Sequence, residues 1–327
     1  MKILTFSHLA ASFLWVVCAS TLLFAEEPLS KLDSEHSRRS ESSTGLLVLT
    51  HGSPSPNWAK TVENFVERLR ELDKENARFK AIEGANLEFC QPDAATGIER
   101  LEQAGCERII VVPAFVFPTS HSHFDVPAVL GLYSSPSIRE TLAEENARVA
   151  QPKVPITVVQ TLHEGELLKK FVLDETAALS KNPSEEVLIL IAHGDEGHEG
   201  LIDPTMRELV TQTCGRLGLN EGNWAYCEVG QSYDRTVSPL IRRYVGEGKR
   251  VLIVGLYLIT SAEKIARISQ QFHQSANSSS IEPEPSIVSE QTAFSPNGII
   301  SHPNATEFVL QAAIEVLDSS EAKRPFK

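Results

Sequence analysis

From residue 45 onward the chain alternates short apolar runs with longer stretches of helical periodicity. Residues 45–50 (GLLVLT) are a continuous apolar run of the kind that fills a parallel strand buried on both faces. His51-Gly52-Ser53 follows as a turn, and Ser55-Pro56 offers a helix N-cap with proline at the first helical position. Trp58, Val62, Phe65, Val66, Leu69 and Leu72 then recur at helical spacing. Residues 86–90 (NLEFC) predict a second strand, and Asp93 caps a helix that Gly105 ends. Residues 108–117 predict a third strand and residues 154–160 a fourth. A helical insertion over 136–149, capped by Ser135 or Ser137, lies between them, and a helix over 164–179 closes the series. Strands alternating with helices imply an α/β fold with a parallel sheet and helices on both faces.

The same order then recurs. Residues 187–192 (VLILIA) lead into His193-Gly194-Asp195 and match residues 45–50 and His51-Gly52-Ser53 at an offset of 142. Residues 250–257 (RVLIVGLY) match residues 108–115 (RIIVVPAF) at the same offset. Tyr226-Cys227-Glu228 stands near Asn86-Leu87-Glu88 with a two-residue slip, and Ser301-His302-Pro303 with its helix resembles Leu162-His163-Glu164 with its own. Markers in one order argue for an internal duplication. The expected architecture is two similar lobes, each a parallel sheet flanked by helices, with a cleft between them. Residues 45–180 form the first lobe and 181–317 the second, with an exposed loop at 277–290 and a polar tail at 318–327.

The start of the chain reads differently. Lys2 precedes a mostly apolar run over residues 9–24 and then Ala25-Glu26-Glu27, the layout of a secretory signal peptide cleaved near Ala25. The run is short for a membrane span, with an uncleaved anchor as the alternative, and the mature chain shows no other candidate span. Residues 26–44 are polar and aperiodic, a tether between the leader and the folded part. Export permits disulfides. Beyond the leader, Cys90, Cys106, Cys214 and Cys227 allow three pairings, and no CxxC spacing points to a cysteine zinc site.

The formal net charge of −13, one unit more acidic once Lys2 leaves with the leader, excludes nucleic acid as an expected partner. It leaves open a role with metal cations. The chemistry-bearing stretch is residues 108–127 (RIIVVPAFVFPTSHSHFDVP), in which a buried strand opens into a loop carrying His121, His123 and Asp125. His51 follows the first strand, so His51 and His121 emerge where open α/β sheets bind ligands. Glu88 at the second strand adds a carboxylate. His51, His121 and Glu88 together make an open metal site, with histidines also suited to acid–base work. The competing reading is structural, with each imidazole capping a backbone carbonyl. His193, Asp195 and His198 form a candidate secondary metal set, while His163 and His302 read as structural or cleft-lining.

His51-Gly52-Ser53, Leu87-Glu88, Pro92, and Val112-Pro113-Ala114-Phe115 followed by His121, Asp125, Val126 and Pro127 resemble the CbiX type of the sirohydrochlorin chelatase family. The resemblance covers residues 45–180 well and 186–317 loosely. It implies insertion of Co(II), Ni(II) or Fe(II), as substrate, into a tetrapyrrole held between two lobes, with no organic cofactor. His51 and His121 would then bind the ion and accept pyrrole protons while Glu88 assists. Two departures stand out. Thr119-Ser120 replaces the glycine that family members often carry before the loop histidine, and Glu263 takes the place of His121 in the second lobe, which therefore reads as the degenerate half. A sirohydrochlorin-like polyanion approaching so acidic a chain would need local Arg or Lys. An exported metal or haem carrier using the same cleft without turnover, or a partner-binding module without catalysis, are the rival readings. The choice of metal and the oligomeric state are not written in the sequence.

Overall fold

The computed structural model describes residues 42–144, 147–195, 197–227, 233–276 and 290–319. The expected leader, the tether up to residue 41, residues 277–289 of the exposed loop and the tail from residue 320 lie outside the described residues. In the first lobe the order is β1 (Thr44–Thr50), α1 (Trp58–Asp73), β2 (Ala81–Asn86), α2 (Ala94–Gln103), β3 (Arg108–Pro113), α3 (Val126–Val129), α4 (Pro136–Glu144), β4 (Ile156–Val158) and α5 (Leu167–Leu179). The second lobe runs β5 (Glu186–Ala192), α6 (Glu199–Leu217), β6 (Glu221–Tyr226), α7 (Tyr233–Thr236), α8 (Ser238–Gly246), β7 (Arg250–Leu256), α9 (Ala262–Ala276), β8 (Thr292–Phe294) and α10 (Ala305–Asp318). Among the described residues the strands form two parallel four-stranded sheets, ordered β2-β1-β3-β4 and β6-β5-β7-β8.

The duplication is visible in hydrogen bonds as well as in order. Leu87 N–H donates to the Thr50 carbonyl at 2.8 Å, and Cys227 N–H donates to the Ala192 carbonyl at the same distance. This register reproduces the two-residue slip between the halves. Leu162 N–H donates to Phe115 and Ile299 N–H to Tyr257 in the same way. By that register His163 matches Ile300, so the paired markers around His163 and His302 are not structural equivalents.

Several expected boundaries move. The second strand is Ala81–Asn86, not 86–90, because the mixed run AIEGAN pairs with β1 as an edge strand. The more apolar Leu87–Cys90 stretch that suggested a strand is a turn, with Phe89 at φ +63°. The third strand stops at Pro113, and residues 114–117 leave the sheet. The fourth pairs only over Ile156–Val158. Helix α1 begins at Trp58 with Asn57 before it, so Ser55 contributes its carbonyl to the Trp58 N–H rather than a side-chain cap. Helix α5 begins at Leu167 rather than residue 164, and α4 is described only to Glu144. Asp93 caps α2 as expected, accepting from Thr96 N–H at 2.7 Å.

Alternate side chains of each central strand face different cores, as the two-residue period of a strand requires. Leu47 and Leu49 pack outward with Ile98 and Leu101 of α2. Leu46 and Val48 point inward into a cluster that also holds Leu188 and Leu190 of β5, so one apolar core runs through both lobes. The last helices cross over. α5 packs on β7 of the second sheet, and α10 packs on β3 of the first. Phe171 and Val172 of α5 are fully buried, as are Val309 and Ala313 of α10. Polar ties follow the same exchange. Arg68 donates to the Ile300 carbonyl at 2.8 Å, and Asn297 donates to Glu175 at 2.9 Å. His302 stacks edge-on against Phe171 and reaches Asp174 at 3.1 Å. Its role is structural.

Truncating Phe171 to alanine leaves a void in the core common to both lobes. The expected cost is about 3–5 kcal/mol, read as a lowered midpoint in urea. Because the core is shared, circular dichroism and tryptophan fluorescence should report one coincident transition, whereas two separated transitions would show that the lobes unfold independently.

Candidate metal and tetrapyrrole site

His51 leaves the carboxyl end of β1, and the residue after it explains how it meets Glu88. Gly52 sits at φ +94°, and a Cβ there would lie 1.9 Å from the Glu88 carbonyl oxygen. Only glycine tolerates both that conformation and that approach. The Glu88 N–H donates to the His51 carbonyl at 2.9 Å, which pins the two turns together. His121 arrives from the third strand. The chain leaves the sheet after Pro113 and enters a π turn, His121–Asp125, that continues into α3. Val126 N–H donates to the His121 carbonyl across this wider turn, a geometry often found at functional sites. It sets Asp125 against His121, with Nδ1 2.6 Å from Oδ2.

The three expected site residues converge. His51, Glu88 and His121 each offer a ligand atom, all within 4.8 Å of one another, and all three side chains are half-buried. The two imidazole rings meet edge to face, 4.7 Å between centroids. His51 Nδ1–H donates to the Gly52 carbonyl at 3.1 Å, and His121 Nδ1–H donates to Asp125, which leaves Nε2 of each ring as the free lone pair. Burial holds the His51 imidazole below its ordinary value, with the neighbouring His121 acting the same way. The hydrogen bond to Asp125 raises His121 above its ordinary value. Neighbouring rings are thus pushed apart, one staying neutral and the other more basic.

The site lies on one wall of a cleft of about 620 Å³. Residues 114–117 of the first lobe and 256–260 of the second line it from the two sides, joined by Trp58, Phe89 and His193. At the offset of 142 these two segments are equivalents, so the cleft is a pseudo-symmetric apolar slot with chemistry on one face. No Lys or Arg is among the described residues that line it, so the local cations expected for a polyanionic partner are not found there. Phe89 escaped the sequence reading. It is 63% exposed, its ring lies 6.0 Å from His51, and its left-handed backbone presents it to the cleft. The signal available was the LEFCQP turn itself, which looked like a strand.

The remaining histidines sort differently. His123 turns away from the site to donate to the Thr119 carbonyl at 3.0 Å, and His163 contacts Thr161 at 2.6 Å. His193 lines the cleft with its Nδ1–H on the Gly194 carbonyl. The expected secondary metal set does not form. Among the described residues, His193, Asp195 and His198 do not converge as His51, Glu88 and His121 do; Asp195 lies 3.5 Å from His198 and its carboxylate accepts from Ser120 of the other lobe. Glu263, in place of His121, pairs with Arg267 on α9. No disulfide joins Cys90, Cys106, Cys214 or Cys227.

Two parallel α/β lobes facing a cleft, with two histidines and a glutamate on one wall, define a chelatase-like class of protein. Residues 45–178 match the CbiX family model. The sirohydrochlorin cobaltochelatase of Methanopyrus kandleri is 29% identical over 87 residues, 27% of this chain and 58% of that protein. The chloroplastic sirohydrochlorin ferrochelatase of Arabidopsis thaliana is 29% identical over 85 residues, 26% of this chain and 36% of that protein. The chain therefore spans 58% of the length of the first relative and less of the second. The crystal structure of the sirohydrochlorin chelatase SirB from Bacillus subtilis subspecies spizizenii, in complex with cobalt, aligns over 87% of this chain and 99% of its own. Its TM-score is 0.57 at 16% identity, which shows a common two-lobed fold.

A protonated imidazole cannot ligate a metal, so metal binding should be lost as pH falls through the raised value of His121. Asp125→Asn removes the carboxylate that stabilises the imidazolium, which lets that value fall. The acid limb of Co(II) binding, titrated between about pH 5 and 8, is expected to move to lower pH in the variant. An unmoved or upward-shifted limb would show that Asp125 does not set the basicity of His121.

Proposed function

We propose that this protein inserts a divalent metal ion, Co(II), Ni(II) or Fe(II), into sirohydrochlorin or a related tetrapyrrole. The observation that carries the reading is the convergence of His51, Glu88 and His121 within 4.8 Å on one wall of an apolar cleft. Insertion exchanges one M²⁺ for two pyrrole N–H protons. The ion must be partly stripped of water and held with coordination positions open, and each proton needs an acceptor. His51, kept neutral by burial, suits the ligand role. His121, backed by Asp125, shares the ion with His51 and, being the more basic, also suits proton acceptance once the ion has passed to the ring. Glu88 supplies a negative charge that offsets the incoming dication. The flat face of the macrocycle would lie between residues 114–117 and 256–260 with Phe89 against its edge.

The decisive experiment is anaerobic absorption spectroscopy of the protein with sirohydrochlorin and Co(II), repeated with Ni(II) and Fe(II). Protein-dependent, multiple-turnover conversion to the metallated spectrum is expected. His51→Ala and His121→Ala should each lower kcat/KM by about 10²-fold or more with the fold retained. Phe89→Ala should weaken tetrapyrrole binding by about 2- to 10-fold, the worth of one aromatic contact, without changing Co(II) binding. A spectral change that saturates at one equivalent would instead identify a carrier, and full activity in both histidine variants would remove the assignment.

We also place the mature protein outside the cytoplasm, on the basic start, apolar run and Ala25-Glu26 junction of the leader. The mass of protein purified from its native host should correspond to a chain starting near Glu26. An intact leader on soluble cytoplasmic protein would overturn this placement.

A further inference from the structure

We infer that Asp195, in the lobe without the metal-ligating set, is a positioning residue for His121 in the other. The inference rests on the metal-site reading above. Asp195 ends the His193-Gly194-Asp195 turn that matches His51-Gly52-Ser53. Its carboxylate reaches over to the first lobe and accepts two hydrogen bonds from one residue, Ser120: the backbone N–H to Oδ2 at 2.6 Å and the hydroxyl to Oδ1 at 3.2 Å. Ser120 is the residue from which the π turn starts, one position before His121. Holding both of its donors fixes where that turn begins and so where the His121 ring points. The Asp195 side chain is only 18% exposed, with His198 Nδ1 at 3.5 Å from Oδ2 on its far side. Water therefore competes weakly for these bonds, and hydrogen bonds to a charged acceptor are the stronger kind.

The duplication supplies an internal control. The equivalent of Asp195 in the first lobe is Ser53, whose hydroxyl stays local and accepts from the Ser55 N–H at 3.1 Å. The equivalent of Ser120 in the second lobe is Ala262, which is fully buried and has no hydroxyl to donate. The latch thus exists once, and it serves the lobe that carries His121. The second lobe keeps its histidine-glycine turn but puts it to a different use: the acidic residue that follows braces the partner site.

The test is Co(II) titration of the full-length protein without tetrapyrrole, followed by the visible absorption of the bound ion. Sirohydrochlorin binding is measured separately, and folding is monitored by circular dichroism. Asp195→Ala should weaken Co(II) binding about tenfold with sirohydrochlorin affinity and fold unchanged. Asp195→Asn keeps an acceptor for Ser120 and should recover most of the loss. Unchanged Co(II) affinity in Asp195→Ala overturns the inference. Equal loss of both affinities, without recovery in Asp195→Asn, does so too, by showing a general structural role. Wild-type protein that binds no Co(II) would reject the metal site itself, an outcome distinct from either.

Discussion

The reciprocal burial of α5 on the second sheet and α10 on the first is the interaction on which the cleft depends. Each sheet turns one face outward to its own helices and the other inward to a core it cannot complete alone. Leu46 and Val48 meet that core from one side and Leu188 and Leu190 from the other, with Phe171 and Val309 supplied crosswise. Because the inner core is common, the angle between the sheets is set by close packing, which resists small displacements. Segments 114–117 and 256–260, which leave the third strand of each sheet, therefore face one another at a fixed separation. A ligand slot between lobes built this way is largely preformed.

Within that frame the two halves have diverged in a directed way. Among the described residues, the His, Cys, Asp and Glu side chains that converge as a metal-capable set all lie in the first lobe, and the second lines the other side of the cleft. Two changes convert one into the other: His121 against Glu263, and the Ser53–Asp195 pair. Glu263 is drawn into an ion pair with Arg267 on its own helix. Asp195 binds across to Ser120. The second lobe thus carries an ion-paired glutamate where the first has His121, and an aspartate bonded across to Ser120 where the first has Ser53.

The electrostatics of the cleft bear on what it can hold. A chain with formal charge −13 should repel a polycarboxylate at long range, and the described residues lining the cleft offer no Lys or Arg to counter this. What they offer is aromatic and aliphatic surface: Trp58, Phe89, Phe115, Phe117, Tyr257 and Leu258. A flat macrocycle can bury its apolar face there while its carboxylates remain at the rim in water. In the proposed complex, buried apolar area, at about 25 cal/mol per Å², would supply the affinity that charge does not. Glu88 acts in the opposite sense, favouring the cation.

Fold class and the residues of the candidate site were largely legible in the order of the amino acids. Continuous β-branched and leucine-rich runs can only be strands buried on both faces, and their repetition at one offset made two lobes unavoidable. His51 and His121 were legible because they follow such runs, where parallel sheets place ligands. Tertiary structure decided the rest. Leu87–Cys90 looks like a strand in sequence yet forms a turn, and Gly52 of a distant segment packs against its backbone at Glu88. His121 and His123 share a π turn that no periodicity announces, and it directs them to different partners, Asp125 and the Thr119 carbonyl. The fate of Asp195 was set by a residue 75 positions away in another lobe, and α5 and α10 look in sequence like the closing helices of their own halves. Local pattern encodes which surfaces must be buried. Which partner buries them depends on contacts between segments far apart in the chain, and these exist only once it has folded.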